Sequence, residues 1–262
     1  MAKSMETLRY IDNQEQESFV ARRMVVKIGS SSITRDGSPL NLDFMDSVAR
    51  QASTLFYAGT EVVIVSSGSV ESGRQVVSVN GDMIDKQVAA MYGQGELTYR
   101  WKEAFAKYQV DAAELLLTKR DLKKSTGPLL RAMQYGVVII NENDAVNNEE
   151  LKKLVLLGDN DKLASRVARV SARADTLLLL TDTDGVLDSS GNTIHTLGEN
   201  EKENVLFFGK SNVGTGGMES KVKAGFKAAR EGVRTIIASA YEQDVILKAA
   251  RGEQIGTRLQ GN

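Results

Sequence analysis

Residues 24–32 read Met24-Val25-Val26-Lys27-Ile28-Gly29-Ser30-Ser31-Ser32, an apolar, β-branched run that ends on a glycine and a string of serines. A short continuous run of this kind predicts a buried strand, and the small residues behind it predict a turn. The same grammar recurs along the chain. Glu61–Val65 leads into Ser66-Ser67-Gly68-Ser69, Val137–Ile140 into Asn141-Glu142-Asn143-Asp144, and Thr176–Thr181 into Asp182-Thr183-Asp184-Gly185. Ala112–Leu117 and Arg234–Ala238 are further β-branched or aliphatic runs. Between the runs, 41–57, 85–107, 160–173 and 219–230 place apolar residues three and four apart, the spacing of amphipathic helices. Alternating strands and helices predict an α/β fold: a three-layer α/β/α sandwich around a mainly parallel sheet. In such sheets a ligand site forms beyond the carboxyl ends of the strands, where the small and polar residues cluster here.

The bulk composition narrows the function classes. At 262 residues and 42% hydrophobic content the chain can bury a proper core, and with no Ser- or Pro-rich linker it predicts one domain with two lobes. Lys and Arg total 33 against 34 Asp and Glu, so the net charge of −1 gives no general attraction to nucleic acid or to an anionic membrane. There is no cysteine, no apolar run long enough to span a bilayer and no secretory leader, which predicts a cytoplasmic protein. Residues 1–22, with Asp12-Asn13-Gln14-Glu15-Gln16-Glu17, are polar and aperiodic and read as a mobile extension.

Five stretches suit phosphate and carboxylate chemistry. In Lys210–Lys221, Gly214, Gly216 and Gly217 run into a predicted helix whose free amide N–H groups favour an anion, and Lys221 adds a full charge in its first turn. Lys27 lies inside an apolar strand, where an amine needs a partner or a ligand. Gly29 and Gly68 each follow a strand as a phosphate-approaching backbone would, with Ser67 beside the second. Asn141 and Asp144 offer a donor for a carboxylate and an acceptor for an ammonium, the two ends of an amino acid. Gly158-Asp159-Asn160-Asp161 opens a predicted helix with more acid than an N-cap needs. Two lysines, glycine loops and an organising aspartate, with no activated nucleophile, fit phosphoryl transfer. The single His195 reads as a surface residue, and Trp101, Phe105 and Tyr108 at helical spacing read as core. No Cys or His cluster is present to bind zinc.

These stretches, in this order, resemble the amino acid kinase family, and within it most closely the glutamate 5-kinase group. The matching motifs include Val-Val-Lys27-Ile-Gly29, Ser67-Gly68, Tyr-Gly-Gln94, Leu-Thr118, Asn141-Glu-Asn-Asp144-Ala-Val, Gly-Asp-Asn160-Asp161, Thr181-Asp182 and Gly214-Thr-Gly-Gly-Met218-Glu-Ser-Lys221. The resemblance implies ATP-dependent phosphorylation of the γ-carboxylate of L-glutamate, with Mg²⁺ accompanying ATP. It implies Lys27, Asp161 and Lys221 as catalytic residues, and Ser67, Gly68, Asn141, Asp144 and Asn160 as holders of glutamate. Nucleotide contacts are implied for Lys27, Gly29, Ser30, Thr181, Asp182, Thr215, Gly216, Gly217, Met218 and Lys221. A kinase domain over 23–262 is implied, its first part the acidic-substrate lobe and its part from about residue 170 the nucleotide lobe, without the C-terminal PUA domain many members carry. A homo-oligomer and a glutamyl phosphate reductase partner also follow from the resemblance. Two departures stand out: a short 119–140 segment, and Glu71 close to where a substrate carboxylate is expected. They keep open a paralogous kinase acting on another carboxylate, beside a non-catalytic nucleotide-binding protein.

Overall fold

The computed structural model describes residues 20–34, 39–80, 82–118, 120–145, 160–205 and 217–261. Gly158, Asp159, Gly214, Thr215, Gly216 and residues 1–19 of the expected extension lie outside them. The described elements, in chain order, are β1 (Arg23–Ile28), α1 (Ser30–Ile33), α2 (Leu42–Tyr57), β2 (Glu61–Ser66), α3 (Ser69–Gly73) and α4 (Met83–Ala106). There follow β3 (Asp111–Leu117), α5 (Thr126–Ala132), β4 (Gly136–Glu142), α6 (Asn160–Arg166), β5 (Thr176–Thr181) and β6 (Thr196–Gly198). The chain closes with α7 (Met218–Ala229), β7 (Arg234–Ser239), α8 (Val245–Ala250) and β8 (Thr257–Gln260).

The strands form one sheet in the order β3-β4-β2-β1-β5-β7-β8-β6, parallel throughout except where β8 runs against β7. Strand alternation assigns each side chain to one of two cores. Met24, Val26 and Ile28 of β1 and Val62 and Ile64 of β2 pack with α2, α4 and α8, around the buried Trp101 and Phe105. Val25, Val63 and Val65 face the other way, onto Leu129, Leu163, Val222 and Phe226 of α5, α6 and α7. Each fully buried aliphatic side chain contributes about 1.5–3 kcal/mol, so the two layers hold the sheet from both faces. Trp101 meets its one polar need by donating Nε1–H to Ser66 Oγ at 3.0 Å. The α/β/α sandwich expected from the sequence is therefore what forms.

Helix boundaries follow local chemistry. Asn41 caps α2 by accepting from Phe44 N at 3.2 Å, and Asp82 caps α4 by accepting from Ile84 N at 3.3 Å. Two expectations need correcting. The helix predicted to run on to Arg173 stops being α-helical after Arg166 and continues as a π-helical turn over Val167–Ser171. The 112–117 run is not a buried strand: β3 is the sheet's edge, with Asp111, Ala113 and Glu114 exposed, and the two acids suit an edge that must not pair with another chain.

The short α3 and the long α4 cross with their backbones in contact. A Cβ on Gly93 would lie 1.9 Å from the carbonyl oxygen of Ser69, and one on Gly73 would lie 1.8 Å from that of Ala89. Neither position has room for a methyl group. Gly93→Ala is expected to force the helices apart at a cost of about 1–3 kcal/mol, lowering the calorimetric Tm by several degrees. A Tm unchanged within a degree would show that this crossing is looser than its geometry.

Candidate active site

Parallel pairing brings the carboxyl ends of β1, β2, β4 and β5 to one edge, and β1, flanked by β2 and β5, lies where the strand order reverses. On β1 the alternation that sends Val26 and Ile28 to one core sends Lys27, like Val25, toward α6 and α7. Asp161 occupies the first turn of α6 and Lys221 the first turn of α7. Lys27 Nζ lies 2.7 Å from Asp161 Oδ1, and Lys221 Nζ lies 3.7 Å from Asp161 Oδ2. All three side chains are almost sealed from solvent, at 5%, 7% and 0% exposure respectively for Lys27, Lys221 and Asp161.

Two buried ammonium groups face the one carboxylate of Asp161, with the charge of Asp182 also acting on Lys221. Burial in low dielectric is costly for ammonium groups, and an anion bound beside them would offset that cost. Lys221 registers that cost: burial first, then the charge of Lys27, pull its amine below the ordinary lysine range, against Asp161 and Asp182, which hold it up. Asp161 thus has one amine at each carboxylate oxygen, and it acts on the site through those two pairs. Gly29 leaves the approach to Lys27 uncovered, since a Cβ there would lie 3.4 Å from Nζ.

A second group of polar side chains lies beside this triad. Asn160, adjacent to Asp161, donates Nδ2–H to Ser67 Oγ at 2.8 Å and to Ser66 O at 3.2 Å, while its own Oδ1 is buried with no donor among the described residues. Gly68 takes φ of 113°, the left-handed region that favours glycine, and its turn starts α3 with Ser69. Ser69 Oγ then donates to Asp144 Oδ2 at 2.8 Å. Asp144 keeps part of its surface open, yet desolvation of its carboxyl, helped by the charge of Glu142 and opposed by the Ser69 hydrogen bond, raises its pKa from 3.8 to about 6. Asn141 is buried at the end of β4, where its amide donates to Gln94 Oε1 at 2.9 Å and its oxygen accepts from Glu142 N at 2.9 Å. It braces β4 against α4. Gln94 in turn donates to Glu114 on β3, at 2.5 Å.

Lys27, Asp161 and Lys221 thus meet as one triad, and Ser67, Gly68, Asn160 and Asp144 form the group next to it. Thr181 ends β5 buried, its Oγ1 3.3 Å from Asp182 Oδ1, and Gly217 and Met218 start α7, while Gly29 and Ser30 begin α1 behind β1. Thr215 and Gly216 lie outside the described residues. Glu71 on α3 pairs with the exposed Arg74 just past the end of that helix, so its charge is answered there. His195 is exposed, and Tyr108 is half-buried against the core that holds Trp101 and Phe105. Sequence reasoning missed Ser69 and Gln94 as supports. The signal for Ser69 was Gly68: a glycine that starts a helix from the left-handed region places the next residue's hydroxyl at a helix beginning.

Among the described residues no helix is long and apolar enough to cross a membrane, and no group of three or more His, Cys, Asp or Glu side chains could hold a metal ion. With Asp161 already engaged by two amines, the donor set fits a Mg²⁺ carried on nucleotide phosphates and water better than a protein cage.

The profile of the amino acid kinase family matches residues 22–239. A glutamate 5-kinase from Azoarcus sp. (strain BH72) is 38% identical over 257 residues, covering 91% of this chain and 68% of that protein. Glutamate 5-kinases from Burkholderia mallei (strain SAVP1) and Burkholderia pseudomallei (strain K96243) are 39% identical with the same coverage.

Proposed function

Because the chain belongs to the amino acid kinase family, we propose that it phosphorylates the γ-carboxylate of L-glutamate with ATP, giving L-glutamyl 5-phosphate, the first step of proline biosynthesis. The observation that carries the reading is the buried Lys27–Asp161–Lys221 triad, whose two ammonium groups held by one carboxylate suit a moving phosphoryl group.

The chemistry asks little else of the protein. A γ-carboxylate oxygen attacks the γ-phosphorus of ATP, the bond from that phosphorus to the β–γ bridging oxygen breaks, and ADP leaves with the electron pair. The attacking carboxylate is already ionised near neutral pH, so no general base has to remove a proton. What remains is positioning and neutralisation of charge on the equatorial oxygens, the work of Lys27 and Lys221 oriented by Asp161. Magnesium, held through ATP's phosphates and water, would supply further charge neutralisation.

Glutamate's ammonium is assigned to Asp144, supported by its carboxylate position beside Ser69 and its raised pKa, while Ser67, Gly68 and Asn160 form the rest of its pocket. Asn141 acts behind them as a brace. Gly29, Ser30, Thr181, Asp182 and the 215–221 segment are assigned to ATP. This divides the domain into an acidic-substrate part and, from about residue 170, a nucleotide part. Exposed Ile84, Met91, Tyr92 and Tyr99 recur along one side of α4 and support a homo-oligomer. The acyl phosphate product is labile in water, which favours handing it to a glutamyl phosphate reductase. The Glu71–Arg74 pair removes the main reason for preferring a different carboxylate substrate.

Hydroxylamine trapping tests the reaction: glutamate and ATP together should give the acyl hydroxamate with matching ADP release, and absence of glutamate-dependent ADP release would overturn the reading. A pH series tests the ammonium partner. An ammonium binds the ionised form of Asp144, so KM for glutamate should rise as pH falls through about 6, tending to tenfold per pH unit. In the ligand-free protein the sign is the reverse. A carboxyl whose folded pKa is raised from 3.8 to about 6 favours the folded state at low pH, and that contribution is lost as pH rises through about 6. Asp144→Asn should raise KM at all pH values and flatten its dependence around 6.

A further inference from the structure

Glu114 stands on the edge strand β3, where an acid placed only to deter pairing would hold its carboxylate in water. This carboxylate is engaged instead by two side chains of α4. Gln94 donates Nε2–H to Oε1 at 2.5 Å, and the Thr98 hydroxyl donates to the same oxygen. The β3–β4 register sets Glu114 beside Ile139 and Leu116 beside Asn141, on the sheet face that Ile139 shares with the α4 core. A hydrogen-bond chain therefore runs from the outer edge of the sheet to the end of β4. Gln94 spends its amide on Glu114 and its carbonyl oxygen on Asn141, which donates Nδ2–H at 2.9 Å. Asn141 in turn accepts at Oδ1 from Glu142 N at 2.9 Å.

A primary amide donates at one end and accepts at the other, so two in series can run in either direction. An ionised carboxylate only accepts, and one at the outer end fixes the direction: both NH₂ groups point toward Glu114 and both oxygens toward the β4 turn. Without that acceptor the Gln94 amide is free to turn over. Two NH₂ groups would then face each other, leaving the donor of Asn141, a residue 2% exposed, unpaired in the interior. Asn141 opens the turn that carries Asp144. The same turn is held from α4 at further points: Gln87 Nε2 donates to Ala145 O at 3.4 Å, and Ser69, whose carbonyl lies against Gly93 next to Gln94, donates to Asp144.

We propose that Glu114 is a positioning residue for the acceptor substrate: it orients the Gln94 and Asn141 amides and through them holds the Asn141–Asp144 turn ready for the ammonium of glutamate. The role rests on the assignment of that ammonium to Asp144. Because the turn grips the amino end of the substrate and not the carboxylate that takes the phosphoryl group, loosening it weakens the ground state and the transition state alike.

Steady-state kinetics of Glu114→Ala tests this. KM for glutamate should rise about fivefold or more, with kcat and KM for ATP within about twofold of the unaltered chain. Glu114→Gln, which keeps an acceptor oxygen in place, should recover most of that loss. Adding Glu114→Ala to Gln94→Ala should raise KM no further than Gln94→Ala alone, since the two act in series. An unchanged KM for glutamate in Glu114→Ala, with or without a lowered Tm, overturns the proposal, as do equal losses of glutamate and ATP affinity. Absence of glutamate-dependent turnover in the unaltered chain would overturn the reaction and this role together, whereas normal turnover with an unchanged KM in Glu114→Ala would overturn this role alone.

Discussion

Lys221→Ala is expected to lower kcat by about two to three orders of magnitude while ADP affinity changes only severalfold. The amine is buried and lies 3.7 Å from an aspartate that already has Lys27 at 2.7 Å, so its attraction for a bound nucleotide's fixed charges is one contribution among several. In the transition state, charge gathers on the oxygens of the moving phosphoryl group, and an interaction realised only there is lost from turnover and not from ground-state binding. Steady-state kinetics beside ADP titration separates the two quantities. A non-catalytic nucleotide-binding protein would show altered binding alone. Parallel losses in both would mean that Lys221 grips the nucleotide without distinguishing the transition state.

Asp161→Asn should act first on stability. The carboxylate is 0% exposed and lies between two amines that are themselves 5% and 7% exposed. Removing it leaves two like charges in a low-dielectric interior, and breaking a buried pair from one side costs about 3–5 kcal/mol. Denaturant unfolding should show a loss of that order, and activity should fall with it. Adding Lys27→Met to Asp161→Asn should restore part of the stability, because one uncompensated charge is gone, while activity stays lost. If Asp161→Asn proved as stable as the parent, the two amines would not depend on that carboxylate.

The fold was legible because its signals are local and repeated. Val25-Val26-Lys27-Ile28-Gly29 reads as a buried strand and turn without any knowledge of its neighbours, and several more runs of the kind, with long amphipathic helices between, imply a covered parallel sheet. Elements of a few residues carried too little period to be seen: α3, α5, α8, β6 and β8 were absent from the reading. The end of α6 was overrun because Val167, Ala168 and Ala172 keep a helical apolar pattern while the backbone shifts to π-helical bonding, a change that hydrophobic spacing does not encode.

The site was legible for a different reason. Lys27 in an apolar strand and the surplus acid at Asn160-Asp161 are each locally unfavourable, and both are explained only by meeting each other. What the sequence could not reveal was how the amides are spent. Asn141 looked like a donor for a substrate, and it braces Gln94 on α4; Glu71 looked like a substrate-facing acid, and it pairs with Arg74. Both outcomes depend on side chains brought near by the tertiary fold.

The most direct test of the triad is a crystal structure of the protein with L-glutamate, ADP, Mg²⁺ and aluminium fluoride, whose planar fluoride stands in for the phosphoryl group in flight. Lys27 Nζ and Lys221 Nζ should both lie about 3 Å from its fluorine atoms, with Asp161 still between the amines. A fluoride bound with either amine turned away from it, or with Asp161 detached from both, would contradict the role assigned to them.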